Sequence, residues 1–271
     1  MNNGESVTRP AMPAVLTDKV VLVCGVGPDL GRALAMQSAR AGADVVLAAR
    51  NEERLRTIAA EISALGRRAL PVVSNVAEAS DQQALVDEAI GEFGRVDVLM
   101  NSAFVQPPQE ALLDVDLDQM RGWTDVNVLA SLGLVQKLAK SLVDVRGSVV
   151  LINSVVLRNR ALGFGAYRMH KFALLAAARS LSMELGPQGV RVNSVAPGYI
   201  WSKKVEGHFV RRAEQSGLTP AEMYDQVAAG VDLRRFPTPD EIADTAVFLG
   251  SNLASGITGQ CIDVTCGEAH H

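Results

Sequence analysis

Residues 19–41 constrain the fold more than any other stretch of the chain. Positions 19–24 (Lys-Val-Val-Leu-Val-Cys) form an apolar run of strand length, 25–31 (Gly-Val-Gly-Pro-Asp-Leu-Gly) a glycine-rich turn, and 32–41 a helical pattern. A strand that runs through glycines into a helix start builds a phosphate site. Backbone N–H groups and the positive helix end meet the anion, and glycine lets the backbone come close. The same pattern also occurs as a plain turn without a ligand.

The rest of the chain repeats the alternation. Further strands are expected at 44–49, 69–73, 96–100, 148–152, 191–195 and 261–264, and helices at 52–65, 79–93, 117–143 and 166–185. In 52–65, Leu55, Ile58, Ala59 and Ile62 fall at helical spacing. Parallel strands need long crossovers, so this order predicts one doubly wound parallel α/β sheet of about seven strands, with helices on both faces. It spans 18–269 as a single domain, after a polar, proline-bearing arm at 1–17 that reads as flexible. The segment 199–233 interrupts the alternation and mixes Tyr199, Trp201, Phe209, Met223 and Tyr224 with charge. Following a strand's carboxyl end, it reads as a substrate lid, with an oligomer contact as the alternative.

Composition removes several classes. With 26 Lys+Arg against 30 Asp+Glu, the chain offers no basic face for nucleic acid. Cys24, Cys261 and Cys266 show no metal spacing, and an odd count fits a reducing, cytoplasmic setting better than disulfides. No apolar run reads as long enough to span a membrane, and the first thirteen residues lack a signal-peptide pattern. His170 is read as a surface or interface residue rather than a metal ligand.

Tyr167 and Lys171, four apart on a helix, share one face. A lysine ammonium held there would favour the phenolate and bring the tyrosine into range for proton exchange with an alcohol or ketone. Alone the pair is weak, because both residues are ordinary on helices. Its force comes from the glycine turn upstream and from Ser154, thirteen residues before the tyrosine.

Taken together these motifs resemble the short-chain dehydrogenase/reductase family over nearly the whole chain. Its Thr-Gly-x-x-x-Gly-x-Gly turn corresponds to 24–31, its Asn-Asn-Ala-Gly to Asn101-Ser102-Ala103-Phe104, and its helix asparagine to Asn127. Its catalytic serine corresponds to Ser154, and its Arg-Val-Asn-x-Val-x-Pro-Gly segment to 191–198. The resemblance implies a Rossmann-type fold and an NAD(P)-dependent oxidoreductase interconverting a ketone and a secondary alcohol. Tyr167 would be the general acid/base and Ser154 the donor to the reacting oxygen. Lys171 would hold the nicotinamide ribose, and Asn127 a water linking Lys171 to solvent. It also implies cofactor contacts from Gly25, Gly27, Asp29, Leu30, Gly31, Asn75, Val76, Asn101, Ala103, Pro197, Gly198, Ile200 and Ser202. No metal is implied.

At the end of the second strand, Ala49 stands where NAD-dependent relatives carry a carboxylate, and Arg50 follows. A guanidinium suits a 2′-phosphate, so NADP(H) is expected over NAD(H). Three departures stand out: Asp29 replaces a turn glycine, Phe104 replaces the fourth residue of Asn-Asn-Ala-Gly, and Thr265-Cys266 replaces Asp-Gly. Asp29 either caps the helix or competes with a ligand's anion for the same N–H groups. A cofactor-binding scaffold with little catalytic activity is the competing class. Enoyl reduction is less favoured, since that branch puts six residues between its Tyr and Lys, and position 174 is Leu. The lid's aromatics suggest an apolar or cyclic small-molecule carbonyl or alcohol. Small and apolar residues on the Tyr-Lys helix, among them Ala173, Leu174, Ala176 and Ala177, suggest a homo-oligomer, with a tetramer expected. Arg158, Arg160, Lys203 and Lys204 read as solvated surface, or as contacts for an anionic tail.

Overall fold

A computed structural model describes residues 12–270. Strand β1 (Val20–Cys24) is buried at every position and pairs in parallel with β2 (Asp44–Ala49) and β4 (Val98–Asn101). With β3 (Ala69–Val73), β5 (Ser148–Ile152), β6 (Arg191–Pro197) and β7 (Cys261–Val264) the sheet runs β3-β2-β1-β4-β5-β6-β7, parallel throughout. Alternate side chains feed opposite layers, as the pleat requires. Val21, Val23, Val45 and Leu47 enter one core, while Val20, Leu22, Cys24, Val46 and Ala48 enter the other.

Helices α1 (Leu30–Arg40), α2 (Glu52–Ala64) and α9 (Pro239–Gly250) cover the first face. Helices α3 (Ala79–Phe93), α5 (Ala130–Val145) and α6 (Gly165–Leu185) cover the second. The strand order reverses between β1 and β4, which opens a crevice beyond their carboxyl ends. Helix α9 lies outside the expected elements. Its signal is a capping box, Thr238 with Glu241, and Pro239 in the first turn.

Three expectations need correction here. The arm does not extend to residue 17: Leu16 is fully buried in the first core, and its N–H bonds Ala41 O at 2.8 Å. Met12 and Val15 pack against the same core beside it, and together the three dock the segment. Residues 1–11 of the arm lie outside the described residues.

The expected helix 117–143 is α4 (Leu117–Thr124), a π-helical turn (Asp125–Leu129) and α5, joined end to end. The Ala130 N–H reaches five residues back, to Asp125 O. This continuous helix, Leu117–Val145, is also long and apolar enough by length and composition to cross a membrane, contrary to the expectation of no such run. In the fold its Leu134, Val135, Leu138 and Leu142 fill the second core.

The 199–233 segment is likewise structured. It carries α7 (Lys203–Ser216) and α8 (Pro220–Ala228), each capped by a side chain, Ser202 and Thr219. It closes around its own apolar cluster of Phe209, Ala213, Met223, Ala228, Val231 and Phe236. Tyr199, Trp201, Phe209, Tyr224 and Phe236 stack mutually at centroid distances of 4.6 to 6.4 Å.

A cleft joining a glycine cradle to a serine, tyrosine and lysine

The glycine turn is pressed against the loop that follows β4. Gly25 has φ +85°, and a Cβ there would lie 2.4 Å from Ala103 N; a Cβ on Gly31 would lie 2.3 Å from Gly25 O. Neither position admits a side chain. Gly27 is under no such pressure, its nearest contact being 3.9 Å. Asp29 occupies the cap position of α1 but makes no side-chain cap bond, so the capping role is absent; Arg32 N bonds Gly27 O at 3.0 Å, which leaves the N–H groups of Leu30 and Gly31 for a ligand.

The turn forms one end of a cleft of about 850 Å³ along the carboxyl edge of the sheet. Gly25, Gly27, Asp29, Leu30, Gly31, Arg50, Asn75, Val76 and Ala103 line it at this end, and Ser154, Tyr167, Lys171, Pro197, Gly198 and Ile200 at the other. Asn101, Asn127 and Ser202 do not reach it. Asn101 is buried and shapes the loop instead, donating to Ser131 Oγ at 2.8 Å and accepting from Ala103 N at 3.0 Å. Ser202 Oγ accepts from Val205 N at 3.4 Å. Asn127, on the π-helical turn, exchanges two bonds with Val105: Nδ2 donates to its carbonyl at 2.9 Å and Oδ1 accepts its N–H at 2.8 Å. Its side-chain amide is thus committed to the loop at Val105.

Several lining residues went unforeseen. Arg54 stands one turn beyond Arg50, a spacing visible in the sequence. Ser74 Oγ and Asn153 Oδ1 are buried in the cleft wall without a protein partner. Both follow the last residue of a strand, the position from which such sheets present polar groups. The glycine cradle, the uncapped helix start and these two orphaned atoms fit a dinucleotide.

At the other end, Ser154 Oγ accepts from Val156 N at 3.2 Å, and the serine lines the cleft with Tyr167. Burial pushes the Tyr167 pKa above its ordinary value, against a smaller lowering by Ser154. This corrects the expected depression by Lys171. Nζ donates to Ile152 O at 2.8 Å and sits 3.9 Å from the Phe104 ring centroid, against 5.8 Å from the Tyr167 ring. Burial also brings the lysine pKa down from 10.5 to about 7, which weakens the charge that would have favoured phenolate. The phenol therefore keeps its proton at neutral pH.

Neighbouring expectations change too. His170 is buried, not superficial: its Nε2 meets Thr124 Oγ1 at 3.1 Å, and burial lowers its pKa. Arg158 is not solvated surface. Its Nε bonds Asp263 at 3.1 Å in a mostly buried ion pair that ties the loop after β5 to β7. The side chains of Lys203 and Lys204 lie outside the described residues. Cys266 adopts φ +56°, the left-handed conformation that glycine usually supplies. Among the described residues no group of three or more His, Cys, Asp or Glu could hold a metal ion.

A doubly wound sheet whose cleft joins a glycine cradle to a Ser-Tyr-Lys group defines a nucleotide-dependent oxidoreductase. Comparison with known proteins agrees. A family model described as enoyl-(acyl carrier protein) reductase matches residues 25–268. L-rhamnose 1-dehydrogenase (NAD(P)(+)) of Sphingomonas sp. (strain SKA58) is 33% identical over 93% of this chain and 97% of its own length. The 7alpha-hydroxysteroid dehydrogenase of Escherichia coli (strain K12) is 30% identical over 93% and 94%. A solved 7alpha-hydroxysteroid dehydrogenase, complexed with NADH and 7-oxo glycochenodeoxycholic acid, superposes with TM-score 0.85 at 28% identity, covering 97% of this chain and 99% of that one. The chain belongs to the short-chain dehydrogenase/reductase family and is an oxidoreductase.

Proposed function

We propose that the protein interconverts a ketone and a secondary alcohol with NADP(H), Tyr167 acting as general acid/base. The observation that carries this reading is the placement of Ser154, Tyr167 and Lys171 together in the cleft that the glycine cradle also lines. The bound nicotinamide supplies the hydride. Tyr167 gives its proton to the carbonyl oxygen, Ser154 Oγ donates a hydrogen bond to the same atom, and Lys171 offers its remaining N–H donors to ribose hydroxyls. Arg50 and Arg54 line the far end of the cleft, where two guanidinium groups suit a 2′-phosphate.

The apolar character of the substrate rests on new ground, because the lid rings are committed to one another. It rests on Phe104, Val105 and Ile200 in the cleft and on the Phe164 ring 6.2 Å from that of Tyr167. The rhamnose and hydroxysteroid relatives named above show how widely the family's alcohols range in polarity.

The proposal includes a homotetramer. Met169, Phe172 and Met183 are exposed along α6, and Phe248 and Leu253 near α9, which gives two separate apolar faces. A cytoplasmic setting, in which the three free cysteines stay reduced, belongs to the same reading. Turnover on a panel of ketones, secondary alcohols and a 2-enoyl thioester, run with NADPH and NADH, tests it. Ketone reduction with NADPH is the expected result. Turnover of the enoyl thioester alone would favour the chemistry named in the family model, and tight nucleotide binding without any turnover would favour a scaffold.

A further inference from the structure

Phe104 borders the cleft, and its ring lies against both Tyr167 and Lys171. Its centroid lies 3.9 Å from Lys171 Nζ and 5.2 Å from the Tyr167 ring, edge to face. An ammonium has three donors. Lys171 uses one on Ile152 O at 2.8 Å, and the Phe104 ring covers the space from which a second acceptor would approach. The lysine is accordingly only 4% exposed although it lines an open cleft.

The backbone that carries this ring is held on both sides. Ala103 N donates to Asn101 Oδ1 at 3.0 Å, and Val105 exchanges two bonds with the Asn127 amide at 2.8 and 2.9 Å. Asn101 and Asn127 are themselves buried. With the loop fixed before and after position 104, the freedom left is rotation of the phenyl side chain, which is half-buried and borders the cleft.

We propose that Phe104 is a side-chain gate: its ring covers Lys171 and the edge of Tyr167 until a dinucleotide ribose displaces it, so these two side chains open to the cleft only as cofactor binds. The proposal rests on the dinucleotide reading above. It gives Asn127 a positioning role, fixing the loop so that closure is a property of one ring. A site that must open before it binds shows an affinity reduced by the fraction already open, and removing the ring removes that reduction.

The test uses the full-length, cofactor-free protein with Phe104→Ala, which removes the ring, and Phe104→Leu, which keeps bulk without a π face. NADPH and NADH binding is followed by titration calorimetry. Lys171 exposure is followed by reductive methylation and peptide mass analysis. Phe104→Ala is expected to bind NADPH about two- to thirtyfold more tightly, the range of one cation–π contact from exposed to desolvated. It should also label Lys171 faster in the absence of cofactor, while Phe104→Leu falls between it and the wild type. If Phe104→Ala does not fold, the Phe104→Leu comparison decides on the same two readouts. Equal affinity and equal labelling overturn the gate. Weaker binding in a folded variant also overturns it, because the ring would then be a platform for the cofactor. If neither wild type nor variants bind NADPH or NADH, the dinucleotide reading fails and takes the gate with it, whereas binding with unchanged labelling overturns the gate alone.

Discussion

Replacing Lys171 by methionine should change how stability depends on pH in the cofactor-free protein. Burial lowers the lysine pKa from 10.5 to about 7. A lysine that is neutral in the fold but charged in the unfolded chain must release a proton on folding. The cost is full below the folded pKa and shrinks as pH rises toward the unfolded one. Each pH unit in that window is worth about 1.4 kcal/mol. Between pH 9 and pH 7 the cost therefore grows by about 2 kcal/mol, allowing for half-protonation at the lower end. The Lys171→Met variant, with no group to titrate at this position, carries none of this cost. Loss of the bond to Ile152 O offsets the absolute stability by an amount that does not vary with pH. The difference between the two pH values is thus the clean quantity. Urea denaturation by circular dichroism at pH 7, 8 and 9, at one protein concentration, measures it. Wild type should lose about 2 kcal/mol relative to Lys171→Met on going from pH 9 to pH 7. Parallel curves would refute the reasoning, since the lysine would then carry the same charge in the folded and unfolded chains.

Tyr167→Phe keeps the ring but removes the proton, so turnover should fall at least about a hundredfold, with NADPH affinity by calorimetry unchanged; retained turnover in a folded variant would remove Tyr167 from its role. Asp29→Gly should tighten NADPH binding by about two- to fivefold at low salt and by less at high salt, the scale of a charge beside a helix start; equal affinities at both salts would show that the carboxylate does not compete. Ala49→Asp combined with Arg50→Ala should move preference toward NADH by roughly tenfold or more, the worth of one charge-assisted contact. Steady-state kinetics with both cofactors reads that shift, and a parent that already prefers NADH would sink the Arg50 argument.

The cradle was legible because sterics and sequence coincide there: Gly25 and Gly31 sit where no Cβ fits, so glycine is required. The strands were legible for a similar reason. β1 is buried on both faces and must be apolar at every position, whatever it packs against. The missed features depend on partners that are distant along the chain. Arg158 finds Asp263 across 105 residues, and no local pattern announces that pairing. The spacing of Tyr167 and Lys171 puts them on one face but leaves open where a long side chain ends, and here it ends at Ile152 O and the Phe104 ring. The lid showed its aromatic content in the sequence but not which way the rings turn. Leu16 belongs to a short apolar run with Met12 and Val15 that has no periodicity, and the contact with Ala41 and the first core explains its burial.

The inward packing of those rings also bears on how such an enzyme diversifies. Phe209, Met223 and Phe236 hold α7 and α8 together without drawing on the sheet for support. Of the segment, Ile200 alone among the described residues lines the cleft, so α7 and α8 can vary while the glycine cradle and the Tyr167 group keep their places. Tyr167 and the glycine cradle stand on separate elements, α6 and the β1–α1 turn. A chain built this way can change one separately held layer while the elements that carry the cradle and Tyr167 stay as they are.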